Sequence, residues 1–182
     1  MNRVIYSVLL IFAAINASSQ ITKQNWLIGG AASFRASKYE FGGNSSKQSN
    51  LELTGDVGYF IIDKFAIGIK PAYSRSKLSY PVTIVNTYEI GPFARYYLLP
   101  TERSANIFSE LSYQYGFMKT NQGVSQNSNN FSGVVGCSLF FNNSVALEFT
   151  LGFSSYLYNR NQGKVNSFIA GIGFHFHLEK EK

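Results

Sequence analysis

Across residues 51–76 apolar and polar positions alternate with a period of two. Leu51, Leu53, Gly55, Val57, Tyr59 and Ile61 form one set, and Glu52, Thr54, Asp56, Gly58 and Phe60 the other. After Ile62-Asp63-Lys64 the pattern resumes with Phe65, Ile67, Ile69, Pro71 and Tyr73 against Ala66, Gly68, Lys70, Ala72 and Ser74. Successive side chains of a β-strand point to opposite faces, so this stretch predicts two strands joined by a tight hairpin. Stretches 25–37, 87–98, 107–118, 131–141, 145–156 and 167–178 show the same alternation. The intervals between them are alternately short (62–64, 99–106, 142–144) and long, polar and rich in Gly, Asn and Ser (38–50, 76–86, 119–130, 157–165). Eight strands with such connections predict an all-β, eight-stranded, antiparallel up-and-down barrel, with short turns and both termini at one end and longer loops at the other.

The charges decide which face meets water. Five of the ten acidic residues (Glu52, Asp56, Glu89, Glu110, Glu148) fall on the polar strand faces, together with Arg35, Lys70 and Arg95. The apolar faces carry no charge except Arg75, at the loop end of its strand. A soluble lipocalin-like barrel would turn the apolar set inward and cover its outside with charge. Eight charges across eight strands are too few for a solvated exterior, so the apolar set is predicted to face lipid, where an Arg or Lys at midplane costs about 2–4 kcal/mol. Strands of this length, tilted about 40° and rising about 3.3 Å per residue, give an apolar band of about 25 Å. Aromatics near the strand ends suggest two interfacial girdles. One holds Trp26, Tyr59, Phe65, Tyr96, Phe141 and Phe176; the other holds Tyr39, Tyr73, Tyr88, Phe117 and Tyr156.

Composition agrees with a transmembrane barrel. The 182 residues include 16 Gly, 12 Tyr and 16 Phe, with only 14% charged, which speaks against disorder and helical bundles. A single cysteine, Cys137, excludes an intramolecular disulfide framework and a cysteine-based zinc site, and is expected to face lipid. Met1-Asn2-Arg3, the apolar run from Val4 to Ile15 and the small residues Ala17-Ser18-Ser19 read as a signal peptide over 1–19, leaving 20–182 as the barrel domain. No segment has the 18 or more apolar residues of a membrane-spanning helix. The expected address is therefore the cell outer membrane.

Tight hairpins fix cross-strand partners. Pairing Ile61 with Phe65 places Asp56 opposite Lys70, and pairing Leu98 with Ile107 places Arg95 opposite Glu110. Across the longer connections, Glu148 is expected to face His175, Arg35 to face Glu52, and Pro71 to stand opposite Pro92 with a kink in the ladder. The resulting lumen network comprises Arg35, Glu52, Asp56, Lys70, Glu89, Arg95, Glu110, Glu148 and His175. An eight-stranded interior is just filled by side chains, so the primary expectation is a structural or surface-interacting barrel with an ion-paired, plugged lumen. A narrow solute pore is the alternative, and a soluble carrier of an apolar ligand the competing class. His175 and His177 share the inward face near Glu148 and Glu110, but no activated nucleophile or converging ligand set accompanies them. No catalytic residue, metal site or cofactor is predicted. Lys38, Lys47, Arg75, Lys77, Lys119, Arg160 and Lys164 outweigh Glu40 in the long intervals, a rim suited to outer-membrane lipid and lipopolysaccharide. Stacking aromatics are not interleaved with these cations, so nucleic acid is not an expected partner.

The run Ile90-Gly91-Pro92-Phe93-Ala94-Arg95-Tyr96-Tyr97 resembles a motif of the outer-membrane β-barrel (porin-like) family of the Bacteroidetes type. The glycine-bearing hairpins 55–71 and 133–153 and the export signal before Gln20 fit the same group. The resemblance implies an integral outer-membrane barrel and marks a fold more than an activity. The protein is expected to be a monomer without enzymatic activity, with the outer-membrane assembly machinery as a partner. One departure concerns the terminus: such barrels often finish on an aromatic, whereas here Phe176 and Leu178 are followed by Glu179-Lys180-Glu181-Lys182.

Overall fold

The computed structural model describes residues 21–41, 44–79, 82–158 and 163–178, apart from the side chains of 39–41, 44 and 45. The signal-peptide stretch, Arg160 and the Glu179–Lys182 tail lie outside the described residues, as do the side chains of Tyr39 and Glu40. Ten strand segments are present: β1 Trp26–Phe41, β2 Asn44–Ile62, β3 Phe65–Ile69, β4 Ala72–Ser79, β5 Val82–Ile90, β6 Pro92–Tyr97, β7 Ala105–Thr120, β8 Ser125–Phe140, β9 Val145–Tyr158 and β10 Gly163–Leu178. All pairings are antiparallel, and β1 pairs with both β2 and β10, closing the sheet into a barrel. β3 with β4, and β5 with β6, are single spans interrupted near a proline. The ring therefore has eight staves.

Those interruptions follow from proline chemistry. Pro71 and Pro92 lack an N–H, and a closed barrel has no edge on which to hide the loss. The ladder breaks beside both, but they are not opposite one another: Pro92 pairs with Ile69, and Ala72 pairs with Glu89. The expected Pro71–Pro92 rung is thus off by two residues, because the β4–β5 ladder runs on to Ser79↔Val82 through an interval that reads as a loop, so the alternation does not locate its end. At the break the Lys70 amide donates to the Gly91 carbonyl (2.8 Å). The Gln114 side chain donates to the Lys70 carbonyl from inside the lumen (3.0 Å).

The polar intervals expected to be loops are largely ladder. β1 and β2 pair without interruption from Trp26↔Tyr59 to Phe41↔Asn44, and β7 and β8 from Ala105↔Leu139 to Lys119↔Ser125. β9–β10 pairing likewise reaches Tyr158↔Gly163. Serine, asparagine and glutamine on both faces erase the alternation by which a strand is recognised in sequence, yet backbone pairing does not need an apolar face. The staves therefore continue beyond the apolar band as a polar collar. Lys47, Arg75, Lys77, Lys119 and Lys164 are exposed on it.

The alternation itself has the expected orientation. Leu111 and Phe153 are 70% and 67% exposed on the exterior, and Val57, Ile67, Phe131, Leu151 and Phe174 join them. Arg95 and Glu148 are 2% and 1% exposed in the interior. Trp26 stacks edge-on against Tyr59 at the short-turn end, and Tyr73 meets Tyr88 at the other level. Tyr156 is not part of that girdle: it shares the inward face with Glu148 and hydrogen-bonds Glu89 in the lumen. Cys137 stands between Ile107 and Phe149, both exposed on the exterior.

Candidate functional site

The lumen is layered. At the short-turn end Leu27, Phe60, Tyr97, Phe108, Phe140, Ala146 and His177 form a dry floor, each at most 3% exposed. Phe60 and Phe140 flank the His177 ring with centroids at 5.9 and 5.1 Å, and Tyr97 meets Phe108 at 5.6 Å. Residues ahead of β1 hook beneath this floor. Ile21 is fully buried and accepts a hydrogen bond from the Lys64 amide, while Asp63 accepts one from the Lys23 amide.

Above the floor lies the charged layer. Each of its six members comes from a different stave, so the cluster ties the ring across its diameter. The Arg95 guanidinium donates from Nε and Nη2 to Glu110 Oε2 (2.7 Å each). Its Nη1 reaches both Glu148 oxygens at 2.9 and 3.0 Å, so one planar fork serves two carboxylates from β7 and β9. The same guanidinium lies 4.3 Å above the Phe108 ring. Lys70 Nζ bridges Asp56 Oδ1 (2.9 Å) and Glu110 Oε1 (2.6 Å). His175 stands between acids: Nε2 is 2.8 Å from Asp56 Oδ2, and Nδ1 is 2.9 Å from Glu148 Oε2. Nε2 is in hydrogen-bond contact with Asp56 and Nδ1 within ion-pair distance of Glu148, so an imidazolium here would pair with both acids and bring three acids and three cations to neutrality. Ser138 completes Glu148 by donating to Oε1 (2.7 Å).

Glycine makes room for this layer at one position in particular. A Cβ on Gly29 would overlap the His175 ring. His175 therefore lies flat over the β1 backbone, a placement that no other residue at position 29 would allow without movement.

Six of the nine expected network residues thus converge: Asp56, Lys70, Arg95, Glu110, Glu148 and His175. Arg95↔Glu110 is a direct ladder pair. Asp56 meets Lys70 through the β2–β3 register. Two expected pairings differ. Glu148 faces Gly173 while His175 faces Ala146, and Glu52 faces Ser33 while Arg35 faces Asn50. Both are slips of two residues, which keep every side chain on its face. His175 consequently reaches Glu148 along a diagonal. Arg35 and Glu52 instead sit exposed near the upper mouth, and Glu89 is half-buried one layer above the cluster with Tyr156 as its partner. Sequence reasoning passed over Tyr97 and Ser138. The tight β8–β9 hairpin would have placed Ser138 opposite Glu148.

Comparison with known proteins agrees with this architecture. The outer membrane protein beta-barrel domain family matches residues 5–176. The crystal structure of Neisserial surface protein A is similar over 84% of this chain and 96% of its own, with TM-score 0.57 at 16% identity. That of the outer membrane protein OprG from Pseudomonas aeruginosa is similar over 89% of this chain and 100% of its own, with TM-score 0.56 at 13% identity. These likenesses are of fold. No curated protein matches the chain by sequence.

Proposed function

Because the chain belongs to the outer membrane protein beta-barrel domain family and lies in the cell outer membrane, we propose that it is a closed barrel with a structural or surface-interacting role rather than a solute pore. The observation carrying this reading is the charged layer: six groups from six staves meet across the lumen at 2.6–2.9 Å, directly above an aromatic floor. Opening a path would separate buried ion pairs and unstack rings together, and removing one partner of such a pair costs about 3–5 kcal/mol.

A catalytic role is not part of the proposal. Ser138 donates to Glu148 rather than to a histidine, and Ser138, Glu148, His175 and His177 are each at most 4% exposed. Among these residues no activated hydroxyl is in reach of a substrate. The cationic collar (Lys38, Lys47, Arg75, Lys77, Lys119, Lys164) supports contact with phosphate-bearing lipid of the outer leaflet. The run Ile90–Tyr97 supports a Bacteroidetes-type member; a monomer assembled by the outer-membrane machinery completes the proposal.

Planar-bilayer recording of the refolded full chain tests the closed-lumen reading. The expected record is flat. Discrete conductance steps that disappear in Arg95→Ala or Glu110→Ala would replace it with a narrow pore running through the same pairs.

A further inference from the structure

We propose that the upper lumen is a binding vestibule for a primary alkylammonium group, received by Glu89, Asn130, Tyr156 and Tyr158 with Glu52 adding negative charge at the mouth. The site is built from three staves. Glu89 is on β5, Asn130 on β8, and both tyrosines are on β9, all facing inward. Asn130 pairs directly with Tyr156 across the ladder, and the Tyr156 hydroxyl donates to Glu89 Oε2 (3.4 Å).

Two acceptors here have nothing to accept. Glu89 Oε1 and Asn130 Oδ1 are both buried with no hydrogen-bond partner, and Asn130 as a whole is only 5% exposed. The Asn130 amide nitrogen is committed, donating to Gln114 Oε1 (3.4 Å), so the orphaned atom is specifically the carbonyl oxygen. A buried acceptor left without a donor is destabilising, so a donor that reaches either atom supplies a hydrogen bond that the fold leaves unmade. Among the described residues neither Glu89 nor Glu52 has a cation within ion-pair distance. In the layer below, by contrast, Lys70 and Arg95 are each shared by at least two carboxylates. Glu52 is near enough to act electrostatically on both Glu89 and Tyr156.

Space is available. Glu89 is flanked across the ladder by Ala72 and Gly116. Its carboxylate lies over Gly116, where a Cβ would come within 3.1 Å of Oε1. The inward-facing Ala31, Ser33, Arg35 and Glu52 are exposed, so the vestibule opens toward the collar.

The ligand class follows from the acceptors. An ammonium carries three donors and no acceptor, matching two orphaned oxygens and a hydroxyl oxygen. The Tyr156 and Tyr158 rings, stacked at 6.5 Å and 17°, add the aromatic surface that attracts an organic cation. A divalent metal is a poorer match. Calcium takes about six to eight oxygens, and no group of three His, Cys, Asp or Glu suited to a metal occurs among the described residues. The proposal does not depend on whether the lumen conducts.

Calorimetric titration of the detergent-refolded full chain with methylammonium chloride at constant ionic strength tests it; this cation is too polar to partition into micelles. The expected result is saturable one-to-one binding, weakened about tenfold or more by Glu89→Gln, which removes a charge-assisted hydrogen bond. Tyr158→Leu, at the rim, is expected to weaken it about threefold. Heat-modifiable gel mobility verifies that each variant has folded, and Tyr158→Leu alone carries the test if Glu89→Gln does not. The assignment is overturned by a wild-type protein that shows no saturable binding. It is equally overturned by folded variants with undiminished affinity, or by displacement with equimolar magnesium.

Discussion

The two halves of the lumen are made from the same alternating staves, yet they treat charge in opposite ways. In the lower half, Asp56, Lys70, Arg95, Glu110, Glu148 and His175 are ion-paired at 2.6–2.9 Å, on a floor of Phe60, Tyr97, Phe108 and Phe140. In the upper half, Glu52 and Glu89 have no cationic partner among the described residues, and much of the inward face is small or hydroxylated. A buried charge in a low-dielectric interior is tolerated only when paired and hydrogen-bonded. Near the mouth, water screens what is left unpaired. Depth along one lumen therefore sorts the same residue types into structure below and accessible chemistry above.

The largest test of that contrast is Arg95→Ala. The substitution leaves Glu110 and Glu148 buried without their shared guanidinium, at an expected cost of about 3–5 kcal/mol. The urea midpoint of the detergent-refolded barrel, read from heat-modifiable mobility, should fall accordingly; an unchanged midpoint would mean that the layer does not hold the staves together. Gly29→Val probes the same layer from the wall. Its side chain collides with the His175 ring, and overpacking of this kind costs about 1–3 kcal/mol. In the double variant Gly29→Val with His175→Ala the steric component should largely vanish. If the two costs simply add, His175 does not lie against β1.

Much of this was legible in the chain, and what was not has a physical cause. Period-two alternation assigned Val57, Ile67 and Phe174 to the exterior and Asp56, Arg95 and Glu148 to the interior, because a side chain's face depends only on parity. Register survived where the alternation was readable on both sides of the turn, as for Arg95 and Glu110. It slipped by two where the ladder runs on through a polar interval that reads as a loop, so that the alternation does not locate its end: Glu148 and His175, Arg35 and Glu52, Pro71 and Pro92. Stave length was hidden because a hydrogen-bonded ladder of Ser, Asn and Gln looks like a loop once no face is apolar. The grouping of six charges rather than nine was hidden as well. Parity reports the face but not the height at which a tilted stave delivers each residue.

The smallest effects belong to the upper half, where they sharpen the comparison. Ser112 and Ser132 share a hydroxyl–hydroxyl contact of 2.6 Å between β7 and β8, just above the charged layer. Ser112→Ala removes one neutral hydrogen bond and should lower stability by about 0.5–1.5 kcal/mol. Higher still, the inward hydroxyl of Ser33 is exposed, and Ser33→Ala should stay within about 0.5 kcal/mol of the parent. Measured on one urea scale, Arg95→Ala, Gly29→Val, Ser112→Ala and Ser33→Ala should fall in that order from floor to mouth. A Ser33→Ala loss as large as that of Gly29→Val would show that the upper lumen is packed as tightly as the lower. The vestibule would then have no room for a ligand.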